Sequence, residues 1–135
     1  MDNKKILIAS GDNETLISIS EYLKDKGFNM LTAIDGASVL EIALNERPSL
    51  IIIEIDLPVI DGERVFQIMR NNPHTAEMPF IFIGTEAVEI KGFRRDIDSL
   101  LLQPVKSEEI VRRINRVFVA QHGDIKAQIG DKEIE

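Results

Sequence analysis

The chain has 135 residues, about one domain's length, and its 44% hydrophobic and 29% charged residues exclude a disordered segment. A formal charge of −7 repels phosphate backbones and anionic lipid over most of the surface, so neither nucleic acid nor membrane is an expected partner. There is no cysteine, which excludes disulfides and thiolate metal sites, and apolar runs such as Leu50 to Ile53 fall far short of the ~20 residues a membrane crossing needs. No signal-peptide core follows Met1, and the expected address is the cytoplasm.

Ile6 to Ala9 reads as a short buried strand, and Ser10-Gly11-Asp12-Asn13 as a turn with a helix N-cap. Leu16, Ile17, Ile19 and Leu23 then recur at helical spacing, and Gly27 stands where a left-handed C-cap ends such a helix. Phe28 to Ala33 is the second strand, Asp35-Gly36 a turn, and Val39, Leu40, Ala43 and Leu44 the apolar face of a second helix that stops before Pro48. Leu50 to Ile53 is apolar without alternation, the pattern of a strand covered on both faces in the middle of a parallel sheet. After Asp61-Gly62 comes a third helix with Val65, Phe66 and Met69 inward, ending near Asn71-Asn72-Pro73, and Phe80 to Ile83 is the fourth strand.

Between Gly84 and Asp98, two glycines and scattered charges leave room for only a short or irregular fourth helix before the last strand, Leu100 to Leu102. Ser107 is the expected cap of the final helix, Glu108 and Glu109 suit its positive end, and Ile110, Ile114, Val117 and Phe118 form its buried stripe. Residues 1–120 thus make one domain. Residues 121–135 read as a tail or linker, since the Ile125, Ala127, Ile129 alternation is too short for a sheet, or else as the first element of a domain absent from this chain. Repeated strand and helix units with right-handed crossovers imply a flavodoxin-like (βα)5 three-layer α/β fold with a parallel sheet of order 2-1-3-4-5. Ligands of such folds bind at the carboxyl ends of the strands, here Ala9 to Asp12, Glu54 to Pro58, Gly84-Thr85 and Gln103-Pro104.

Over residues 4 to 119 the chain resembles the receiver domain of bacterial two-component response regulators. The resemblance is carried by Leu57-Pro58-Val59-Ile60-Asp61-Gly62, similar to the family's Met-Pro-x-Met-Asp-Gly, by Met78-Pro79 before the fourth strand, and by Gln103-Pro104 after the fifth. It implies a site that moves a phosphoryl group from a histidine kinase to an aspartate with Mg²⁺. That chemistry uses an acidic pair after the first strand, an aspartate ending the third, a Ser or Thr ending the fourth, and a Lys before the last Pro.

Every one of these is changed. The acidic pair falls on Ser10 and Gly11, the phosphoacceptor on Glu54, the hydroxyl on Gly84 and the lysine on Gln103. The 44 residues from Ser10 to Glu54 and the 30 from Glu54 to Gly84 match the family's spacing, whereas the 19 from Gly84 to Gln103 are fewer, a loss expected in the fourth helix. Without the acidic pair, Asp12, Glu54 and backbone carbonyls are a poor cage for Mg²⁺. A neutral Gln103 forfeits a cation whose attraction at ~4 Å approaches ~4 kcal/mol at an effective dielectric of 20. Gly84 lacks the switch hydroxyl, Thr85 would point the other way on a strand, and Leu100 stands where the switch aromatic is usual.

Glu54 has two readings: a carboxylate set further out that imitates a phosphorylated aspartate, or a strand-end glutamate satisfied by the Gln103 amide, the Thr85 hydroxyl or backbone donors. The expected function is a pseudo-receiver that does not accept phosphate, with no catalytic residue, metal or cofactor, acting as a protein-interaction module in two-component signalling. One alternative is a phosphorelay receiver still phosphorylated by a histidine kinase at Glu54 or Asp56. Another is a flavodoxin-like small-molecule binder, because Ser10 to Thr15 is similar to a flavodoxin phosphate loop; Tyr22 is the only tyrosine and lies in a helix. His74 and His122 are expected at the surface. Arg112, Arg113 and Arg116 give the last helix a basic face suited to a protein partner. The resemblance adds homodimerisation through the fourth helix, fifth strand and fifth helix, with Leu100 in that surface.

Overall fold

The computed structural model describes residues 4–121. Leu50 to Ile53 are fully buried, because this strand, β3 (Leu50–Glu54), lies in the middle of a five-stranded sheet with helices on both faces. The other elements are β1 (Lys5–Ala9), α1 (Asn13–Asp25), β2 (Asn29–Ala33), α2 (Gly36–Glu46), α3 (Gly62–Arg70), β4 (Phe80–Gly84), β5 (Ser99–Leu102) and α4 (Ser107–Gln121). The strands run parallel in the order β2-β1-β3-β4-β5, as expected from the sequence. Alternation along the strands divides the core. Ile51, Ile53, Phe80 and Phe82 pack with Val39 and Ala43 of α2 and Val65, Phe66 and Met69 of α3. Leu50, Ile52, Ile81 and Leu101 pack with Leu16 and Leu23 of α1 and with Ile110, Ile114, Val117 and Phe118 of α4.

Local chemistry sets the boundaries. Asp12, Asp35 and Asp61 cap α1, α2 and α3 by accepting from the backbone N–H three residues on. After α1, Gly27 takes φ +97°, the Phe28 N–H donates to the Leu23 carbonyl and the Gly27 N–H to Lys24, so β2 begins one residue later than the apolar pattern suggests. Ile17, counted with the apolar stripe of α1, is 54% exposed, because a residue next to the stripe is turned about 100° away from it. Leu44 of α2 is likewise exposed. Ser107 is the first residue of α4 rather than its cap: the Lys106 carbonyl accepts from Ile110 N–H at 3.3 Å. The tail expected over 121–135 lies, beyond Gln121, outside the described residues, as does His122.

The main departure is the β4–β5 connection. Where a short fourth helix had room, the chain forms bends and turns, and the described residues hold four helices. Gly92 at φ +86° cannot continue a right-handed helix. The connection is held down by Asp98, whose buried carboxylate accepts from Arg70 Nη1 (2.9 Å) and Nη2 (3.0 Å) and from the backbone N–H groups of Phe80 (3.1 Å) and Arg94 (2.9 Å). Arg70 also donates to the Met78 carbonyl at 2.9 Å and lies over the Phe66 ring, 4.4 Å from its centroid. The homodimer mode expected from three elements therefore lacks its helix before β5.

Candidate functional site

The loops after β1, β3, β4 and β5 meet at the carboxyl edge of the sheet. Ser10, the first residue after β1, is buried, and its Oγ is committed within the loop: it accepts from Asp12 N–H at 3.0 Å and donates to the Asp12 carbonyl at 3.3 Å. Gly11 packs under the β3–α3 loop, where an added Cβ would stand 3.0 Å from Pro58 Cδ. The Asp12 carboxylate turns into α1, accepting from the Thr15 hydroxyl and from Thr15 N–H at 3.1 Å. The hydroxyl bond first, and the backbone bond after it, hold this carboxyl below the usual aspartate value.

Glu54 ends β3 half-buried, and among the described residues its carboxylate has no hydrogen-bond or ion-pair partner. The expected Gln103 amide and Thr85 hydroxyl do not reach it. Both nonetheless line, with Glu54, a hollow of about 500 Å³ whose remaining walls include Thr15, Ile19 and Pro104. Thr85 lines this hollow beside Ile83, two residues before it, so it turns away from Gly84 as strand alternation expects, and onto the face that α1 and α4 cover. Of the expected residues, the structure brings Glu54, Thr85 and Gln103 together here; Ser10, Gly11, Asp12 and Gly84 do not line the hollow.

Two residues of the site gave no signal in the sequence reading. Ile55 follows Glu54, and its Cδ1 lies 2.9 Å from where a Gly84 Cβ would be, so a methyl group covers the position of the missing hydroxyl. Val59 adopts φ +71°, costly for a β-branched residue, in a tight turn closed by Ile60 N–H donating to the Pro58 carbonyl at 2.8 Å. The turn is pinned by Gly36 N–H on the Pro58 carbonyl (3.1 Å) and Gly62 N–H on the Ile55 carbonyl (2.8 Å). Gly62 permits this approach, since a Cβ there would lie 2.4 Å from the Glu54 carbonyl oxygen. Asp56 is exposed beside this turn, and His74 is exposed after α3. Among the described residues, no three His, Asp or Glu side chains are placed to hold one metal ion.

A second feature runs along β5. Leu100, Arg113 and Arg116 line a groove of about 910 Å³, while Arg112, one position round α4, is exposed outside it.

A five-stranded sheet of this order and a Pro-x-x-Asp-Gly turn after β3 agree with the family model for the response regulator receiver domain, which matches residues 6–115. The chain belongs to that family. The receiver domain is 32% identical over 112 residues to the probable transcriptional regulator ycf29 of Porphyra purpurea, covering 79% of this chain and 54% of that protein. It is 28% identical over 135 residues to the DNA-binding dual master transcriptional regulator RpaA of Synechocystis, covering 92% of this chain and 56% of that one. The chain spans about half the length of these curated relatives. The chemotaxis protein CheY4 of Vibrio cholerae shares the fold, with a TM-score of 0.77 at 24% identity over 86% of this chain and 99% of that one. Among the described residues no helix is long and apolar enough to cross a membrane.

Proposed function

We propose that this receiver domain does not accept a phosphoryl group and serves two-component signalling as a protein-interaction module. The observation that carries the reading is the donor set at the carboxyl edge. Magnesium takes near-octahedral oxygen ligands, usually with carboxylate charge. Here the acidic-pair positions hold a hydroxyl already committed to its own loop and a glycine facing Pro58, and Asp12 spends its carboxylate on capping α1. Glu54 alone offers charge to the hollow, so the residues present do not fit the ion. Phosphoryl transfer relies on cations placed around the developing charge, and neutral Gln103 supplies none. The Ile55 methyl over Gly84 leaves no hydroxyl to sense a charge on Glu54, which also speaks against Glu54 as a permanent imitation of the phosphorylated state.

Incubation with acetyl phosphate and Mg²⁺, followed by intact-mass analysis, should leave the mass unchanged. A phosphoryl adduct on Glu54 or Asp56 overturns the proposal in favour of the working phosphorelay receiver that family membership itself favours. Titration to millimolar Mg²⁺ should leave the amide resonances of Asp12 and Glu54 nearly unmoved, and saturable shifts there count against it. A flavodoxin-like binder has less support: Tyr22 sits half-buried on α1 with Lys26 over its ring, and no aromatic lines the hollow.

Partners of the described domain are accordingly proteins, with the cytoplasm as the proposed address and signalling rather than catalysis as the role. The names of the relatives narrow the expectation of no nucleic-acid partner. It is kept for this acidic domain and does not extend to whole proteins built on it, since RpaA is DNA-binding and about half of it lies outside the match.

A further inference from the structure

We propose that the hollow at the carboxyl edge binds a small organic monocation, a primary ammonium carried on an apolar body, with Glu54 as its counter-charge. This goes beyond the reading of the domain as an interaction module and does not depend on any protein partner.

Three observations converge. The first is an unanswered charge. Glu54 is half-buried and has no hydrogen-bond or ion-pair partner among the described residues, and no Lys, Arg or His lines the hollow with it. A carboxylate partly withdrawn from water without a partner is costly, and an entering cation recovers that cost. One carboxylate, on a chain of formal charge −7, repels an anion and answers a single positive charge.

The second is the match in hydrogen bonding. An ammonium has three N–H donors and is satisfied by three acceptors. The Glu54 carboxylate, the Thr85 hydroxyl and the Gln103 amide all line the hollow, and among the described residues neither of the last two side chains is in a hydrogen bond. Thr15, the other hydroxyl in the lining, donates its proton to Asp12 instead. A divalent ion takes more carboxylate charge than Glu54 alone gives.

The third is the wall and its size. Ile19 of α1, Ile83 of β4, and Pro104 and Val105 after β5 make the rest of the lining apolar, which suits the body of an organic ligand rather than a hydrated inorganic ion. About 500 Å³ lies within the range of small-ligand sites and, at ~30 Å³ each, holds roughly fifteen non-hydrogen atoms. A lysine side chain from another protein, with its four-carbon stem, leaves most of that space empty. A free amine is therefore the better occupant.

The test titrates the full chain, followed by amide NMR near pH 7, where an alkylammonium is fully charged. The probes are phenylbutylamine, phenylbutanol and phenylbutyrate, which share one body and differ in the charge of the head. The amine should shift Thr15, Glu54, Thr85 and Val105 saturably, with a midpoint roughly tenfold below that of the alcohol, and the acid should not bind. Glu54→Gln keeps the size of the side chain and, its spectrum otherwise dispersed as in the parent, should weaken the amine roughly tenfold while leaving the alcohol unchanged. Gln103→Lys adds an ammonium of the chain's own to the lining and should block the amine with the carboxylate still present. Equal binding of amine and alcohol, indifference of the amine to either variant, or shifts mapping elsewhere overturns the proposal. So does tighter binding of spermidine, which carries more charge and no comparable apolar body, because that traces to the diffuse acidity of the surface. A phosphoryl adduct in the acetyl phosphate experiment would end the reading of a silent site without deciding the amine titration, and failure of the amine to bind leaves that reading untouched.

Discussion

The hollow at the carboxyl edge and the Asp98 clasp at the other end of the β4–β5 connection are built on opposite principles. In the hollow, Glu54, Thr85 and Gln103 converge without one hydrogen bond between their side chains, and a methyl group stands over the fourth position. At the clasp a single buried carboxylate accepts four hydrogen bonds and faces a guanidinium that stacks on an aromatic ring. A site that stabilises developing charge has its dipoles fixed before the reaction begins. In this domain that kind of fixed polar geometry is found at the clasp, where it holds a segment in place, and is missing from the hollow, where the family's chemistry would sit.

The clasp should therefore be the more costly to disturb. Asp98→Ala strands the Arg70 guanidinium, 12% exposed, together with the N–H groups of Phe80 and Arg94. Breaking a buried pair from one side costs about 4 kcal/mol. Urea unfolding should show a loss of that order with the slope retained. A loss below about 1 kcal/mol would mean that the carboxylate is replaceable by water and would erase the contrast.

Much of the fold was legible because its signals are local. Runs of three or four apolar residues marked four of the five strands, aspartates stood at the turns before the first three helices, and right-handed crossovers left essentially one strand order. Positions of the site residues followed from spacing, but their surroundings did not. Nothing in the sequence says that Ile55 folds over Gly84, because that contact joins two strand ends and has no period. The Asp98–Arg70 pair, 28 residues apart, is equally silent: an arginine ending a helix and an aspartate preceding a strand are ordinary in themselves. Thr85 was legible in direction only: alternation turns it away from Gly84 and onto the face of Ile83, but nothing in the sequence says that a hollow opens there.

Next to Glu54 and Thr85, outside the hollow's lining, two glycines sharpen the comparison. A Cβ at Gly62 meets the Glu54 carbonyl oxygen at 2.4 Å, and neither backbone segment can yield without breaking the turn pinned by Gly62 N–H. Gly62→Ala should cost about 3 kcal/mol. A Cβ at Gly84 is crowded only by the far end of the flexible Ile55 side chain, and Gly84→Ala should cost about 1 kcal/mol or less. Similar losses for both would show that Ile55 is locked in place, and the hollow would then be a rigid structure rather than a slack one.

The smallest effect tests whether any charge at the carboxyl edge is held firmly. Asp12 is exposed, and its bonds to Thr15 depress its folded-state pKa below the ordinary 3.8. Its charge therefore stabilises the fold above the unfolded-state value, and that contribution is lost as pH falls through the lower folded value. Asn caps a helix about as well as Asp but carries no charge, so Asp12→Asn isolates the electrostatic part. The variant should be slightly less stable than the parent near neutral pH. The gap should narrow as pH falls below about 4 and close in stronger acid, when the parent has also lost its charge. A gap that persists unchanged into acid would assign the whole effect to hydrogen-bond geometry, leaving the carboxyl edge without an electrostatically tuned group even in its cap.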